Sequence, residues 1–303
     1  MNPFTHPALF YRTDREYLSA LVPFAEEGLD AGQPVAMAVP GARLDLVRSG
    51  LGTLARHVTL LDMAVEGRNP GRIIARVLRR FADRHRDRHV RIVGEPIWAG
   101  RSEVEYPACA QHEALINLAF DGRDVTILCP YDLSTLSPVA VADALVTHPV
   151  VWEGTSSYPS SDYDVPGLLS RYNEPLPEPP ADAVFEVSGT GDLGEARKFA
   201  AERADGVGRE RVADVELIVT ELATNSLRHS GGSCRVGVWR ADGHLVCDVR
   251  DGGRLSDPLA GRRPPEPGQL SGRGLLMVND LADLVRLHSG PTGTTVRALL
   301  RLA

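Results

Sequence analysis

From residue 34 to residue 148, short apolar runs alternate with longer stretches in which apolar residues recur every three or four positions. PVAMAVP (34–40) predicts a strand ending at Pro40, and ARLDLVRSGL (42–51) a helix. HVTLLDM (57–63) predicts a strand, and PGRIIARVLRRFADRHRDR (70–88) a long amphipathic helix opened by Pro70. HVRIVGEPIW (89–98) reads as a strand, and EVEYPACAQHEALINLAFDG (103–122) contains a helix that stops near Gly122. DVTILCPYD (124–132) is the next strand and SPVAVADALVTH (137–148) the next helix. Continuous apolar strands alternating with helices predict an α/β unit on a parallel, doubly wound sheet.

The pattern then breaks. YPSSDYDVPGLLSRYNEPLPEPPAD (158–182) is rich in Pro, Ser and acidic residues and reads as a connector. Beyond it, AVFEVSG predicts a strand, and DLGEARKFAAERADGVG a helix that Asp192 can cap. GRERVADVELIVTELATNSLRHS predicts a second helix, and CRVGVWRADGHLVCDVRDGG a hairpin turned at Asp242-Gly243. After a Pro/Gly-rich loop come GLLMVNDLADLVRLHSG and a last strand, TTVRALLRLA. Helices followed by an antiparallel sheet make this half α+β. The 303 residues therefore divide into residues 1–165, a Pro-rich linker at 166–182 and residues 183–303.

Charge and cysteine content narrow the function class. A net charge of −7 argues against a nucleic-acid-binding surface. Lys198 is the only lysine, a bias that carries no chemistry of its own. No apolar run approaches the ~20 residues of a membrane span, and the N-terminus lacks a basic-then-apolar leader pattern. Cys109, Cys129, Cys234 and Cys247 form no close ligand pair and read as reduced, buried thiols, so a cytoplasmic protein is expected.

Within VTELATNSLRHS (219–230), Glu221, Asn225 and His229 stand four apart and share one helix face. Leu217, Ile218, Leu222 and Leu227 carry the apolar side. A solvated polar stripe is the ordinary account of such a face. Three further features point elsewhere. Asp251 ends a strand before two glycines, a place where a carboxylate can meet an exocyclic amine and the backbone can approach a planar ligand. Gly272 and Gly274 in SGRGL (271–275) free backbone N–H groups at a helix start, suited to phosphate oxygens. Gly293 and Thr294 open the last strand.

Glu-x-x-x-Asn-x-x-x-His, then Asp-x-Gly, Gly-x-Gly and Gly-Thr, resembles the ATP-binding fold shared by histidine kinases and DNA gyrase. The short Asp251–Gly272 loop and the size of the unit are most similar to the serine/threonine kinases that act as bacterial anti-sigma factors. A phosphoacceptor helical hairpin is replaced by the Pro-rich connector, unlike a two-component kinase. The resemblance implies an ATP-binding sandwich in which Asn225 holds Mg²⁺ through its oxygen and Glu221 orients or deprotonates a serine hydroxyl. It implies that Asp251 reads the adenine amino group. Gly253, Gly272, Gly274 and Leu275 would shape the pocket and its lid, and Thr294 or Thr295 would close the adenine side. His229 either lines the phosphate region or is structural. Where sporulation anti-sigma kinases carry an arginine before Ser-Gly-x-Gly, this chain has Leu270, and Arg273 could substitute. The implied partners are a sigma factor and an anti-anti-sigma protein of STAS type, with a homodimer expected from the resemblance alone.

The N-terminal half shows no phosphate-cradling glycine loop after a strand. Pro40, Asp62, GEPIW (94–98) and CPYD (129–132) lie at strand ends, where open α/β sheets bind ligands. Glu95, Trp98, Cys129, Tyr131 and Asp132 are the candidate pocket residues, with loop capping and packing as the plain alternative. HPALFY, EEGLDAGQPV, CPYD and THPVV together resemble the MEDS sensory domain, which implies a RecA-like fold without a working P-loop and a small, hydrocarbon-type ligand. His85 and His89 have a metal-capable spacing but sit among Arg84, Arg86 and Arg88, which repel a cation. His6, His112 and His148 either line the pocket or are hydrogen-bonded structural residues. The expected function is a sensor-controlled anti-sigma serine kinase. The rivals are a non-catalytic, nucleotide-gated protein-binding regulator and a small-molecule enzyme in the N-terminal half.

Overall fold

A computed structural model describes residues 4–265 and 272–302. It divides into two units, Met1–Tyr172 and Asn173–Ala303.

In the first unit, two elements precede those legible in the pattern: β1 (Pro7–Tyr11) and α1 (Asp14–Asp30). α1 is capped at its start: the Thr13 hydroxyl accepts from the Glu16 amide, and the Glu16 carboxylate accepts from the amide of Arg12, one residue before the cap. Then come β2 (Val35–Val39), α2 (Gly41–Leu51), β3 (Thr59–Asp62) and the single turn α3 (Met63–Glu66). The long amphipathic stretch follows as α4 (Pro70–Ile73), a π-helical middle (Ile74–Arg79) and α5 (Arg80–Ala82). It stops six residues short of the expected Arg88, because DRHRDR (83–88) offers no apolar residue to bury. β4 (Val90–Gly94), α6 (Tyr106–Ala119), β5 (Val125–Asp132), α7 (Pro138–Thr147), β6 (Val150–Glu153) and β7 (Ser156–Pro159) complete the alternation.

The sheet order is β3-β2-β4-β5-β1-β6-β7, parallel except for the edge strand β7. β1 lies between β5 and β6, with Ala8 level with Cys129. β2 and β1 are buried at every position, as expected of central parallel strands covered on both faces. Leu9, Tyr11, Met37, Val39 and Leu128 pack with Tyr17, Leu21 and Phe24 of α1 and Val47 of α2. Cys129 and Tyr131 project from the opposite face of β5.

The stretch read as a linker is folded. α8 (Val165–Arg171) is capped by Asp164, and its Val165 and Leu168 bury against Ala110 and Ala114 of α6. Asp143 on α7, 2% exposed, accepts from Tyr106 and Arg171 and also binds the Tyr172 hydroxyl.

The second unit begins with an extended strap, residues 173–180. It continues as β8 (Val184–Val187), α9 (Leu193–Arg203), α10 (Arg209–His229), β9 (Cys234–Ala241), β10 (His244–Asp251), α11 (Gly274–Leu281), β11 (Leu284–Gly290) and β12 (Gly293–Arg301). The sheet order β11-β12-β10-β9-β8 is antiparallel throughout. The β9–β10 turn is at Asp242-Gly243, both at positive φ. Asp192 precedes α9 but does not cap it; its carboxylate turns back to the Ser188 amide. Val215, Ile218, Val219, Leu222 and Ala223 of α10 pack with Cys247, Val249, Val296 and Ala298 on one sheet face. Leu217, expected in the apolar face, is exposed.

On the other sheet face the strap is held by arginines. Arg250 donates to Leu176 O and to Glu178 and Pro177, and Arg297 donates to Pro177 O. Asp248, 1% exposed, pairs with both Arg250 and Arg297. Asn173 exchanges hydrogen bonds with Ser289, and Pro179 lies over Gly237. Asp248→Asn removes the charge that pairs two nearly buried guanidiniums, and a loss of about 3 kcal/mol is expected in urea unfolding. Faster proteolysis within 173–180 should accompany it; an unchanged cleavage rate would show that the strap does not depend on Asp248.

Candidate functional site

Four chain segments of the second unit meet at one end of its sheet. α10 supplies Glu221 and Asn225, both half-buried, on adjacent turns. The start of α11 closes onto them: a Cβ built on Gly274 would stand 2.6 Å from Glu221 Oε2 and 2.9 Å from Asn225 Nδ2. Only glycine admits this approach without displacing the carboxylate and the amide.

The end of β10 supplies Asp251. Its Oδ2 accepts from the Ser226 hydroxyl at 2.6 Å and its Oδ1 from the Gly253 amide at 2.7 Å. Ser226 lies on the buried face of α10, so this bond ties the helix that carries Glu221 and Asn225 to the strand that carries Asp251. Gly253 abuts Ser230, where α10 ends; a Cβ there would lie 2.7 Å from that of Ser230. From β12, the Thr294 hydroxyl donates to Gly253 O at 2.9 Å and lies 2.9 Å from the Ser289 hydroxyl.

Two buried polar groups occupy the first unit. Beyond the carboxyl ends of β1 and β4, Glu95, 3% exposed, accepts from Tyr17 Oη at 2.8 Å and from Tyr11 Oη at 3.4 Å. Arg43 lies over both tyrosine rings and bonds Asp14 and Asp132. Burial pushes the Glu95 carboxyl up to about 7, against the opposing pull of the Tyr17 hydroxyl and Arg43. Burial and the nearby Glu95 charge raise Tyr11 and Tyr17.

The second group is His6, Glu113, Cys129 and His148, all buried. Nε2 of His6 and Nε2 of His148 lie 3.4 and 3.3 Å from Glu113 Oε2, and Cys129 Sγ lies 3.4 Å from His6 Nε2. Burial, with His148 alongside, lowers His6 to about 4, and burial with Glu113 alongside raises the Cys129 thiol.

Comparison with known protein families covers both units. Residues 5–149 match the MEDS family (methanogen/methylotroph, DcmR sensory domain), and residues 188–300 match the histidine kinase-like ATPase domain. The chain carries a MEDS domain followed by a histidine-kinase-like ATPase domain. A search of curated proteins finds no match to this chain. Helix α8 and the strap fall outside both matched ranges. Among the described residues no helix is long and apolar enough to cross a membrane.

In the ATPase domain, Glu221, Asn225, Asp251, Gly253, Gly274 and Thr294 come together. Thr295 does not: it pairs with Arg250, on the sheet face opposite Asp251 and Thr294, because successive strand residues alternate. His229 is exposed at the last residue of α10, and Arg273 is exposed just before α11. Gly272 is exposed at φ 82°, whereas Leu275 is half-buried beside Gly261. Leu270 and Ser271 lie outside the described residues. Sequence reasoning missed Ser226 and Ser289. The signal for Ser226 was a polar residue at a buried helical position, directly after Asn225.

In the MEDS domain, the expected single pocket separates in two. Glu95 joins Tyr11, Tyr17 and Arg43, with Asp132 reached through Arg43, whereas Cys129 and Tyr131 face His6 and His148 across the sheet. Trp98 stacks on Arg101, 4.0 Å away, and Arg101 is held by carbonyls of Gly67, Arg68 and Pro96. His89 is engaged by Asp124 and Thr126, and His85 by Arg88. All four cysteines are buried, and burial raises Cys234 to about 11 and Cys247 to about 12.

Proposed function

We propose that this chain is a signal-responsive regulator that binds Mg-ATP and phosphorylates a serine of an anti-anti-sigma partner of STAS type, thereby controlling a sigma factor in the cytoplasm. The observation that supports it best is the convergence of Glu221 and Asn225 on Gly274, one helix turn from the Ser226–Asp251 bond. The half-buried Glu221 carboxylate and Asn225 carboxamide lie together against Gly274, where the missing Cβ leaves both side chains undisplaced, and the pair offers hard oxygens that fit a magnesium-bound polyphosphate. When bound, Mg²⁺ would neutralise phosphate charge and would be held by Asn225.

This chain's own residues divide the remaining work. Asp251, fixed by Ser226 and the Gly253 amide, presents an acceptor to an exocyclic amine. Thr294 closes the same side through Gly253 O. Gly272 and Gly274 offer amides at the α11 start to phosphate oxygens, with Leu275 behind them. Glu221 orients the incoming serine hydroxyl and takes its proton. Arg273, exposed and adjoining, faces charge on the transferring group, and His229 stands at the open end of the helix. The MEDS domain supplies the signal, a small molecule recognised in the RecA-like unit at the strand ends near Glu95.

Calorimetry tests the reading. Asn225→Ala should weaken Mg-ATP binding about a hundredfold, or ~2.7 kcal/mol. Glu221→Ala should keep the affinity while phosphate transfer to the partner serine falls by about 10²-fold or more. ATP binding by the native chain with no transfer to any STAS-type protein would instead make it a nucleotide-gated binding regulator. No binding in either chain would overturn the nucleotide site.

A further inference from the structure

We propose that His6, Glu113, Cys129 and His148 form a closed binding site for one divalent transition-metal ion of the zinc class. The four side chains come from the start of β1, from α6, from β5 and from the end of α7, and their ligand atoms all lie within 4.8 Å of one another.

The orientation of the two imidazoles supports this assignment. His148 Nδ1 lies 2.9 Å from Ala144 O, a pure acceptor, so Nδ1 carries the proton. His6 Nδ1 lies 3.2 Å from Asn117 Oδ1, again an acceptor. In its neutral form each ring therefore turns the Nε2 lone pair inward, the outer-shell arrangement that fixes a metal-binding tautomer. Both Nε2 lone pairs then confront Glu113 Oε2 at 3.4 and 3.3 Å. Among the described residues, neither Glu113 oxygen nor His148 Nε2 has a hydrogen-bond partner, although all are buried. Lone pairs facing one another in a dry cavity repel unless a cation lies between them.

Size and charge match zinc. Bonds of ~2.0 Å to nitrogen or oxygen and ~2.3 Å to the one sulfur make tetrahedron edges of about 3.3–3.5 Å. The contacts at 3.3, 3.4 and 3.4 Å already have that length, and the widest pair needs to close by about an ångström. A dication with one carboxylate, one thiolate and two neutral imidazoles is neutral overall, which is what a buried site requires. Binding releases the Cys129 thiol proton to solvent, and the metal–sulfur bond replaces the S–H bond. With four protein ligands no position is left for water, so the ion ties β1, β5, α6 and α7 together and makes the MEDS domain's stability depend on metal. The inference is independent of the kinase reading.

The test uses the full chain expressed in medium supplemented with Zn²⁺ or with Co²⁺. One metal per chain is expected. X-ray absorption of the zinc form should show one sulfur at about 2.3 Å and three nitrogen or oxygen neighbours at about 2.0 Å. The cobalt form should show a thiolate-to-cobalt charge-transfer band, lost in Cys129→Ser and kept in Cys234→Ser. Purified chain without stoichiometric metal in either medium, or a metal shell without sulfur, would overturn the site, leaving the cluster to hold a proton only. The absorption experiment needs no variant, so misfolding of Cys129→Ser would not obscure the answer.

Discussion

Gly293→Ala is expected to destabilise the ATPase domain by about 4 kcal/mol, near the upper end of single-residue effects. Gly293 has φ 133°, a conformation that L side chains rarely adopt. A Cβ built there would stand 2.0 Å from the carbonyl oxygen of Asp251, well inside contact distance. The obstacle is backbone, not the end of a flexible side chain, so β12 would have to move away from β10. That shift would carry Thr294 off the Gly253 carbonyl and disturb the loop that holds Asp251. Urea unfolding of the full chain in a Trp98→Phe, Trp152→Phe background, followed through Trp239, measures the loss, and ATP affinity should fall with it. A variant as stable as the parent would refute a steric block between residue 293 and the Asp251 carbonyl.

The second large effect is pH-dependent and belongs to the MEDS domain. Glu95 is held neutral up to about 7 in the folded chain, whereas an unfolded glutamate ionises near its ordinary 4.5. A raised carboxyl contributes most to stability below the unfolded value. That contribution is lost as the pH rises through the folded value. Over pH 4.5–7 the folded state binds the extra proton, so stability falls by about 3 kcal/mol. Glu95→Gln cannot ionise, yet keeps an acceptor for Tyr17, and should flatten the profile. In a Trp239→Phe background, Trp98 and Trp152 report the N-terminal unit alone. Parallel pH profiles for the parent chain and the Glu95→Gln variant between pH 5 and 8 would refute the assignment.

Sequence pattern alone determined the elements whose cause is local. VAMAV could only be a strand buried on both faces, and Asp242-Gly243 could only turn a hairpin. The spacing of Glu221 and Asn225 placed them on one face of α10, because helical geometry is fixed within a turn. Buried cysteines were expected at all four positions, and all four are buried.

Tertiary structure decided everything that depends on register or on burial by distant segments. Pro-rich composition suggested a linker or extended connector running through 166–182. Yet Val165 and Leu168 found an apolar partner in α6, and the strap found Arg250 and Arg297, neither of which a local pattern can foresee. The choice of Thr294 over Thr295 follows from the pairing of β12 with β10, which sets the face that each residue meets. Cys129 and Asp132 are three apart in sequence, but the strand's alternation sends them to opposite sides of the sheet. Only the parallel pairing of β1 with β5 brings His6, 123 residues away, to Cys129. Short-range sterics are written into neighbouring residues, whereas a site assembled from four elements exists only after the sheet order is set.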